Sequence, residues 1–258
     1  MTDLDPAVSV AVRRVAGTPT LLVASDYDGV LAPIVSDPKR AFPLAGAIDA
    51  LRELATLPRT EVALVSGRAL DDLARLSGLG GEVGLVGSHG AEFGSTFAAI
   101  GLPPDAAERR DRVAAALRAI ADGAEGVLLE EKPASVAVHV RNAPDDVGER
   151  VLREVADGPA RWDGVSATAG KKVLELVVVE TSKGQAIATL IDSTGATAVV
   201  FIGDDVTDET AFAALRETDV GIKVGPGETA ARYRVPDPEA VVRLLNLLAE
   251  SRRQSVGT

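Results

Sequence analysis

Four short runs of the chain, LLVA (21–24), VALV (62–65), GLVG (84–87) and AVVFIG (198–203), carry no charge at all and are too short for ordinary helices. A strand that is apolar at every residue has to be buried on both faces, and that situation belongs to parallel sheets covered by helices on either side. A half-exposed antiparallel strand would alternate instead. Between the runs lie stretches with apolar residues at helical spacing, AIDALRELATL (47–57), residues 69–77 and KGQAIATLI (183–191). GIKV (221–224) resumes the strand pattern after the helical stretch DETAFAALRE (208–217), and EAVVRLLNLLAE (239–250) reads as a closing amphipathic helix. This order predicts βαβ units and a Rossmann-like parallel sheet.

The middle of the chain follows another rule. Helical patterns over 105–120 and 144–156 are each followed by two strand-like segments, 126–131 with 135–140 and 161–168 with 172–179. An α-β-β-α-β-β order with hairpin neighbours is α+β. The expected architecture is an α/β core assembled from residues 1–104 and 181–258, with residues 105–180 inserted as an α+β cap, or lid, domain.

Composition narrows the chemistry. The 258 residues include no cysteine, which excludes disulfides, thiolate nucleophiles and cysteine-ligated zinc, and only two histidines, His89 and His139, which excludes a histidine-rich metal site. A formal net charge of −11 without a basic run argues against nucleic acid and anionic membrane surfaces as partners. No apolar run approaches the ~20 residues of a membrane span. The opening MTDLDPAVSV does not resemble a positively charged leader. The expectation is a cytoplasmic, monomeric protein that handles a small molecule. If that molecule is anionic, a few well-placed Lys and Arg must receive it.

Open α/β sheets bind ligands beyond the carboxyl ends of their strands, and polar residues gather at those places here. Asp26-Tyr27-Asp28-Gly29 follows the first apolar run, Ser66-Gly67-Arg68 the second, and Asp204-Asp205-Val206-Thr207-Asp208 the run 198–203; Lys183-Gly184 opens a helix. Two aspartates one residue apart repel each other unless a cation or a substrate phosphate lies near them. The full set supplies what phosphoryl transfer needs. Asp26 can attack phosphorus as a carboxylate nucleophile. Asp28 can protonate the leaving oxygen and then deprotonate water. Ser66 and Lys183, taken as the only lysine near a core strand end, can meet the phosphoryl oxygens. Mg²⁺ needs one or two carboxylates together with phosphate and waters, for which Asp26, Asp28 and Asp204 are the candidates. Asp205 and Asp208 stand behind them. Gly67 and Arg68 are candidate substrate contacts. His89 is open between packing at the sheet end and a substrate or hinge contact, whereas His139, alternating with Val138 and Val140, is expected to be structural and Trp162 to pack.

The order DxD, Ser, Lys, GDD resembles that of the haloacid dehalogenase-like phosphatases. Within that superfamily the chain is similar to the trehalose-6-phosphate phosphatases, through DYDGVLAPI, ALVSGR, VGSHGAEF, LEEKPASVAVHVRNAP, GKKVLEL, SKGQAI and FIGDDVTDE in that order. The resemblance implies Mg²⁺-dependent hydrolysis of trehalose 6-phosphate through an aspartyl-phosphate, with Glu130, Lys132 and Glu175 holding the sugar hydroxyls. The sequence departs from the family pattern at Val30, where threonine is usual, and at Val177-Val178, where Arg-Pro commonly follows Glu-Leu. Alternatives are a phosphatase for another sugar phosphate, such as sucrose phosphate or a pseudo-disaccharide phosphate, and a non-catalytic sugar-phosphate binder.

Overall fold

The computed structural model describes residues 4–97, 100 and 103–256. The chain divides into two units, Met1–Ile100 with Ser182–Thr258, and Gly101–Thr181.

The first unit begins with α1 (Pro6–Ala16) and continues through β1 (Leu21–Ser25), α2 (Ala47–Ala55), β2 (Thr60–Val65), α3 (Leu70–Ser77), β3 (Gly84–Gly87) and β4 (Glu92–Phe93). The second unit supplies α4 (Pro104–Ala121), β5 (Leu128–Lys132), β6 (Ser135–His139), α5 (Asp145–Asp157), β7 (Ser166–Gly170) and β8 (Val173–Val177). The first unit then resumes with α6 (Lys183–Thr194), β9 (Ala198–Gly203), α7 (Glu209–Ala214), β10 (Val220–Val224), β11 (Tyr233–Val235) and α8 (Pro238–Val256).

Among the described residues the first unit holds one sheet in the order β11-β10-β9-β1-β2-β3-β4, parallel except for β4. Its apolar strands are buried on both faces as the sequence required. Leu21 and Val23 of β1 join an apolar cluster with α1, α2 and α8, while Leu22 and Ala24 face a second cluster formed with α6 and α7. β2 and β9 alternate in the same way. The chain enters at β1 in the middle, builds outward to β2 and β3, and later returns to build β9, β10 and β11 on the other side. Such a reversal opens a crevice at the carboxyl ends of the two strands that flank it, here β1 and β9.

The second unit is a four-stranded antiparallel sheet, β5-β6-β8-β7, with one face on α4 and α5. Val136, Val138, Leu174 and Leu176 point to the helices and pack with Val113, Leu117, Val151 and Val155. This is the α/β core with an inserted α-β-β-α-β-β segment that the sequence pattern predicts.

Several boundaries differ from that pattern. α1 went unread, although Asp5 caps it through a 2.7 Å bond to the Ala7 amide and Pro6 opens it, a standard helix start. The stretch 208–217 is a 3₁₀ turn (Val206–Asp208) and a short α7 that ends before Leu215. α8 runs past the expected 239–250 to Val256, and residues 257–258 lie outside the described residues. The extension has a cause in Arg252, which is fully buried with no carboxylate partner among the described residues. Its guanidinium instead donates to the carbonyls of Ala16 (2.9 Å), Pro58 (3.1 Å) and Arg59 (2.8 Å) and to the Thr60 hydroxyl (3.0 Å). It thereby ties α8 to the segments that lead into β1 and β2, at the sheet end opposite the carboxyl termini. Arg252→Leu strands those carbonyls without donors, and each buried unpaired polar group costs ~1–3 kcal/mol. Urea denaturation is expected to show a loss of about 3 kcal/mol; a change below ~1 kcal/mol contradicts this role.

Candidate active site

β1, β2 and β9 are parallel and in register, Ser25 opposite Leu64 and Ile202, so the residues that follow each strand emerge along one edge. The Asp26 amide still donates to Ile202 (2.9 Å), which fixes the start of the loop. The side chains of Asp26, Asp28, Ser66, Arg68, His89 and Lys183 line a cavity of about 460 Å³ at that edge, and Gly67 and Asp205 border it.

Asp26 is buried, 5% exposed. One carboxylate oxygen accepts from the Tyr27 amide (2.6 Å) and the other meets Lys183 Nζ at 2.8 Å. Lys183 is the first residue of α6, placed by the Ser182 cap, and is itself 2% exposed. Its ammonium also holds Asp208 Oδ1 at 2.7 Å. The other Asp208 oxygen accepts the amides of Asp204 (2.9 Å) and Asp205 (3.0 Å). Burial pushes the Asp26 carboxyl upward; Lys183 opposes this and Asp208 reinforces it. Burial, followed by Asp208 and Asp205, raises Asp204 to about 6.

Asp26, Asp204 and Asp208 bring carboxylate oxygens within 4.8 Å of one another. Three carboxylates against one lysine leave two uncompensated negative charges, which is the charge of a divalent cation. Asp204 reaches this place because Gly29 makes room for it. Gly29 has φ +72°, and a Cβ there would lie 2.0 Å from Asp204 Oδ2. The donor set therefore fits a divalent cation held by Asp26 and Asp204. Each Asp26 oxygen carries a single bond, to the Tyr27 amide or to Lys183, whereas Asp208 carries three, to Lys183 and to the amides of Asp204 and Asp205, and so supports the two ligands.

The Asp28 carboxylate, expected among the metal ligands, stands outside this cluster. Arg68 Nε meets its Oδ2 at 2.6 Å and Arg68 Nη2 its Oδ1 at 2.7 Å. Ser66 is 1% exposed, and its Oγ accepts the Arg68 amide at 3.3 Å. Gly67 is required by close approach, since a Cβ there would come within 2.4 Å of the His89 ring. His89 is in the left-handed region (φ 55°, ψ 29°), and its Nδ1 has no hydrogen-bond partner among the described residues. Burial, then Lys183, holds its pKa below the usual value, which keeps the imidazole neutral at neutral pH.

Lys183 is not alone as a lysine at a core strand end. Lys223 of β10 is 5% exposed and donates from Nζ to the Asp204 carbonyl. A lysine inside the apolar run GIKV was the available signal. Val30 is fully buried in the larger apolar cluster, where a methyl group suits its surroundings.

Glu130, Lys132 and Glu175 form their own group on the second unit. Glu130 and Glu175 both sit opposite Ala137 across β6, on the sheet face away from α4 and α5. Lys132 Nζ lies 3.1 Å from Glu175 and 3.9 Å from Glu130, and Ser135 Oγ donates to Glu175 at 2.6 Å. Burial pushes Glu175 up, yet Ser135 and Lys132 outweigh it and leave the carboxyl below its ordinary value. His139 pairs through Nε2 with Glu130 at 2.9 Å. Trp162 does pack, with Arg112 5.4 Å over its ring. Val178 uses its amide to bond Ala134 at 2.9 Å, a bond that a proline at this position would forfeit.

Comparison with known proteins agrees with this chemistry. The family model described as trehalose-phosphatase matches residues 24–239. A trehalose-phosphate phosphatase of Mycobacterium marinum is 34% identical over 254 residues, covering 90% of this chain and 62% of that protein. The chain thus spans about three-fifths of the length of that relative. The structure of Aspergillus fumigatus trehalose-6-phosphate phosphatase superposes with a TM-score of 0.64 at 26% identity, covering 97% of this chain and 99% of that one. A haloacid dehalogenase-like hydrolase from Bacteroides thetaiotaomicron, at 16% identity and a TM-score of 0.58 over 88% of this chain and 98% of that one, shares the fold. No helix among the described residues is long and apolar enough to cross a membrane. With its family model covering most of the sequence and its acidic, lysine-bridged site at the carboxyl edge of a parallel sheet, this chain belongs to the trehalose-phosphatase family.

Proposed function

We propose that the protein is a Mg²⁺-dependent phosphatase that hydrolyses trehalose 6-phosphate to trehalose and inorganic phosphate. The observation that carries this reading is the buried Asp26–Lys183–Asp208 bridge with Asp204 beside it at the carboxyl edge of β1 and β9. Family membership supports trehalose 6-phosphate as the substrate.

In the first step an Asp26 oxygen forms a bond to phosphorus, and the bond from phosphorus to the sugar oxygen breaks. The departing oxygen keeps the electron pair and takes a proton that the partly exposed Asp28 has first taken up from water, one of its oxygens then leaving the Arg68 fork. In the second step water attacks the aspartyl-phosphate, gives its proton to Asp28, and Asp26 leaves as a carboxylate. Splitting one displacement into two is the advantage of a covalent nucleophile. Lys183 and the Ser66 hydroxyl receive equatorial phosphoryl oxygens, with Gly67 giving the phosphate close access to the backbone. Mg²⁺ held by Asp26 and Asp204 neutralises phosphoryl charge when bound. Asp205 and Asp208 position Asp204 and Lys183. Glu130, Lys132 and Glu175 read the sugar hydroxyls, since alternating acceptors and donors suit a neutral polyol.

Three outcomes test this reading. Asp26→Asn removes the nucleophile together with a metal ligand, so phosphate release from trehalose 6-phosphate should fall to background while circular dichroism stays unchanged. Substantial release by this variant excludes the covalent route.

Mg²⁺ binding should stabilise the fold. A ligand at a hundred times its dissociation constant adds about 2.7 kcal/mol. Thermal melts should therefore rise on adding Mg²⁺ and fall back with EDTA, and Asp204→Asn should abolish the response. An equal response in Asp204→Asn moves the cation elsewhere.

Lys132→Ala separates sugar reading from chemistry, because remote binding energy acts only on a substrate large enough to use it. Its kcat/KM should drop sharply on trehalose 6-phosphate and change little on 4-nitrophenyl phosphate. Equal losses on both substrates remove the second unit from the account of specificity.

A further inference from the structure

Arg68 was expected to touch substrate, yet its guanidinium is already engaged within the protein. Of its five N–H donors, Nε and one on Nη2 bind the two oxygens of Asp28, at 2.6 and 2.7 Å. The other Nη2 donor reaches the Pro38 carbonyl at 2.9 Å, and Nη1 binds Asp72 Oδ2 at 2.7 Å. The plane of the group lies over the Tyr27 ring, 5.8 Å from its centroid. Tyr27 is itself immobile: it is fully buried, donates to the Ala41 carbonyl at 2.8 Å, and is kept protonated by burial and the nearby Asp28, which push its pKa to about 12. Only one donor of Arg68 is left for a ligand.

A bidentate arginine–carboxylate pair fixes orientation as well as position, because two parallel bonds leave the carboxylate no free rotation. Asp28 is the carboxylate so fixed. The other member of the DxD pair, Asp26, is taken by Lys183. The two aspartates are thus drawn apart by two different cations, which is why Asp28 stays out of the acidic cluster. Behind Arg68 the chain of charges continues: Asp72, one helical turn along at the start of α3, also accepts from Arg75.

We propose that Arg68 is a positioning residue that aims the Asp28 carboxylate at the leaving oxygen and the attacking water, and that Asp72 sets Arg68 in turn. This deepens the phosphatase reading and rests on Asp28 being its acid–base group. Arg68 then contributes through Asp28 and gives the phosphate no binding energy of its own. Misplacing a reacting group by about 1 Å can cost on the order of 10²-fold, and the whole acid–base contribution is typically ~10²–10⁴-fold.

The test is a double-mutant cycle of Arg68→Ala and Asp28→Asn, with Asp72→Asn alongside, on two substrates. Trehalose 6-phosphate expels a poor alkoxide that needs a proton. 2,4-Dinitrophenyl phosphate expels a good leaving group that does not. The quantity read is kcat/KM, which reports the steps up to leaving-group departure. Arg68→Ala should lose about 10–100-fold on trehalose 6-phosphate and less than ~3-fold on the aryl phosphate, with its loss in kcat and not in KM. Combined with Asp28→Asn it should be no worse than Asp28→Asn alone, since groups acting as a unit are not additive. Asp72→Asn should repeat the leaving-group pattern at smaller size. Arg68→Lys, which keeps the charge but not the fork, should resemble the alanine variant. Additive losses, or a raised KM with equal losses on both substrates, overturn the inference and make Arg68 a direct phosphate ligand. A uniform loss with a lowered melting point makes its role structural and overturns it equally. If Asp28→Asn itself matches wild type on trehalose 6-phosphate, the acid–base reading of Asp28 fails first, and the inference falls with it.

Discussion

One buried ammonium organises the site. Lys183 Nζ lies between Asp26 and Asp208 at 2.8 and 2.7 Å, with all three side chains nearly inaccessible to water. Taking such charges out of water is expensive, and the mutual attraction repays it only with good geometry and further hydrogen bonds. Those bonds are present: the Tyr27 amide on Asp26, and the Asp204 and Asp205 amides on Asp208. The bridge joins the end of β1, the start of α6 and the turn after β9. These are elements from both sides of the inserted segment, so this ion group also holds together the two halves of the core in sequence. With Asp204 beside it the group carries two net negative charges, which a bound divalent cation would balance.

The strand ends were legible because parallel strands buried on both faces have to be continuously apolar, and 198–203 was read to the residue. The clustering of Asp26, Ser66 and Asp204 was legible for the same reason, since every parallel strand in a sheet delivers its next residue to one edge, and Lys183 joins them from the start of α6. The partition of charge within the cluster was not. Nothing in DYDG says that the first aspartate pairs with a lysine far along the chain and the second with Arg68. That depends on the 66–68 loop lying beside the 26–29 loop, a tertiary fact. Asp208 looked like a helix-start acid and turned out to be the most buried carboxylate of the group, because its 3₁₀ turn folds it back under its own amides. Lys223 was passed over because a single lysine does not disturb an apolar count, although a buried lysine always needs an acceptor. α1 was missed because attention to charge-free runs hides an amphipathic helix whose start is marked only by its cap.

The inserted unit follows a different physics. Its four-stranded sheet has one face on helices and the other bare, and the bare face carries Glu130, Lys132, Ser135, His139 and Glu175, joined in one network of ion pairs and hydrogen bonds. Apart from the buried Ser135, these side chains are 29% to 52% exposed, where isolated ion pairs are worth only ~0–1 kcal/mol. Stability therefore gives no strong reason to concentrate them there. Alternating donors and acceptors on rigid strands are, however, well suited to meeting hydroxyl groups, which both give and accept hydrogen bonds.

The same contrast separates the two aspartates of the opening motif. A carboxylate that must attack phosphorus profits from burial, because a dry site strengthens every interaction with the transferring group. A carboxylate that must carry a proton between the leaving oxygen and an incoming water has to remain near solvent. Asp26 is almost inaccessible, whereas the Asp28 side chain is 31% exposed and held by an arginine that is itself tied to α3. One residue of spacing along an irregular loop, with Gly29 turning the chain at φ +72°, is enough to give neighbouring aspartates these opposite surroundings. The division of labour proposed for them follows which cation each one meets, Lys183 from the start of α6 for Asp26 and Arg68 from the loop after β2 for Asp28.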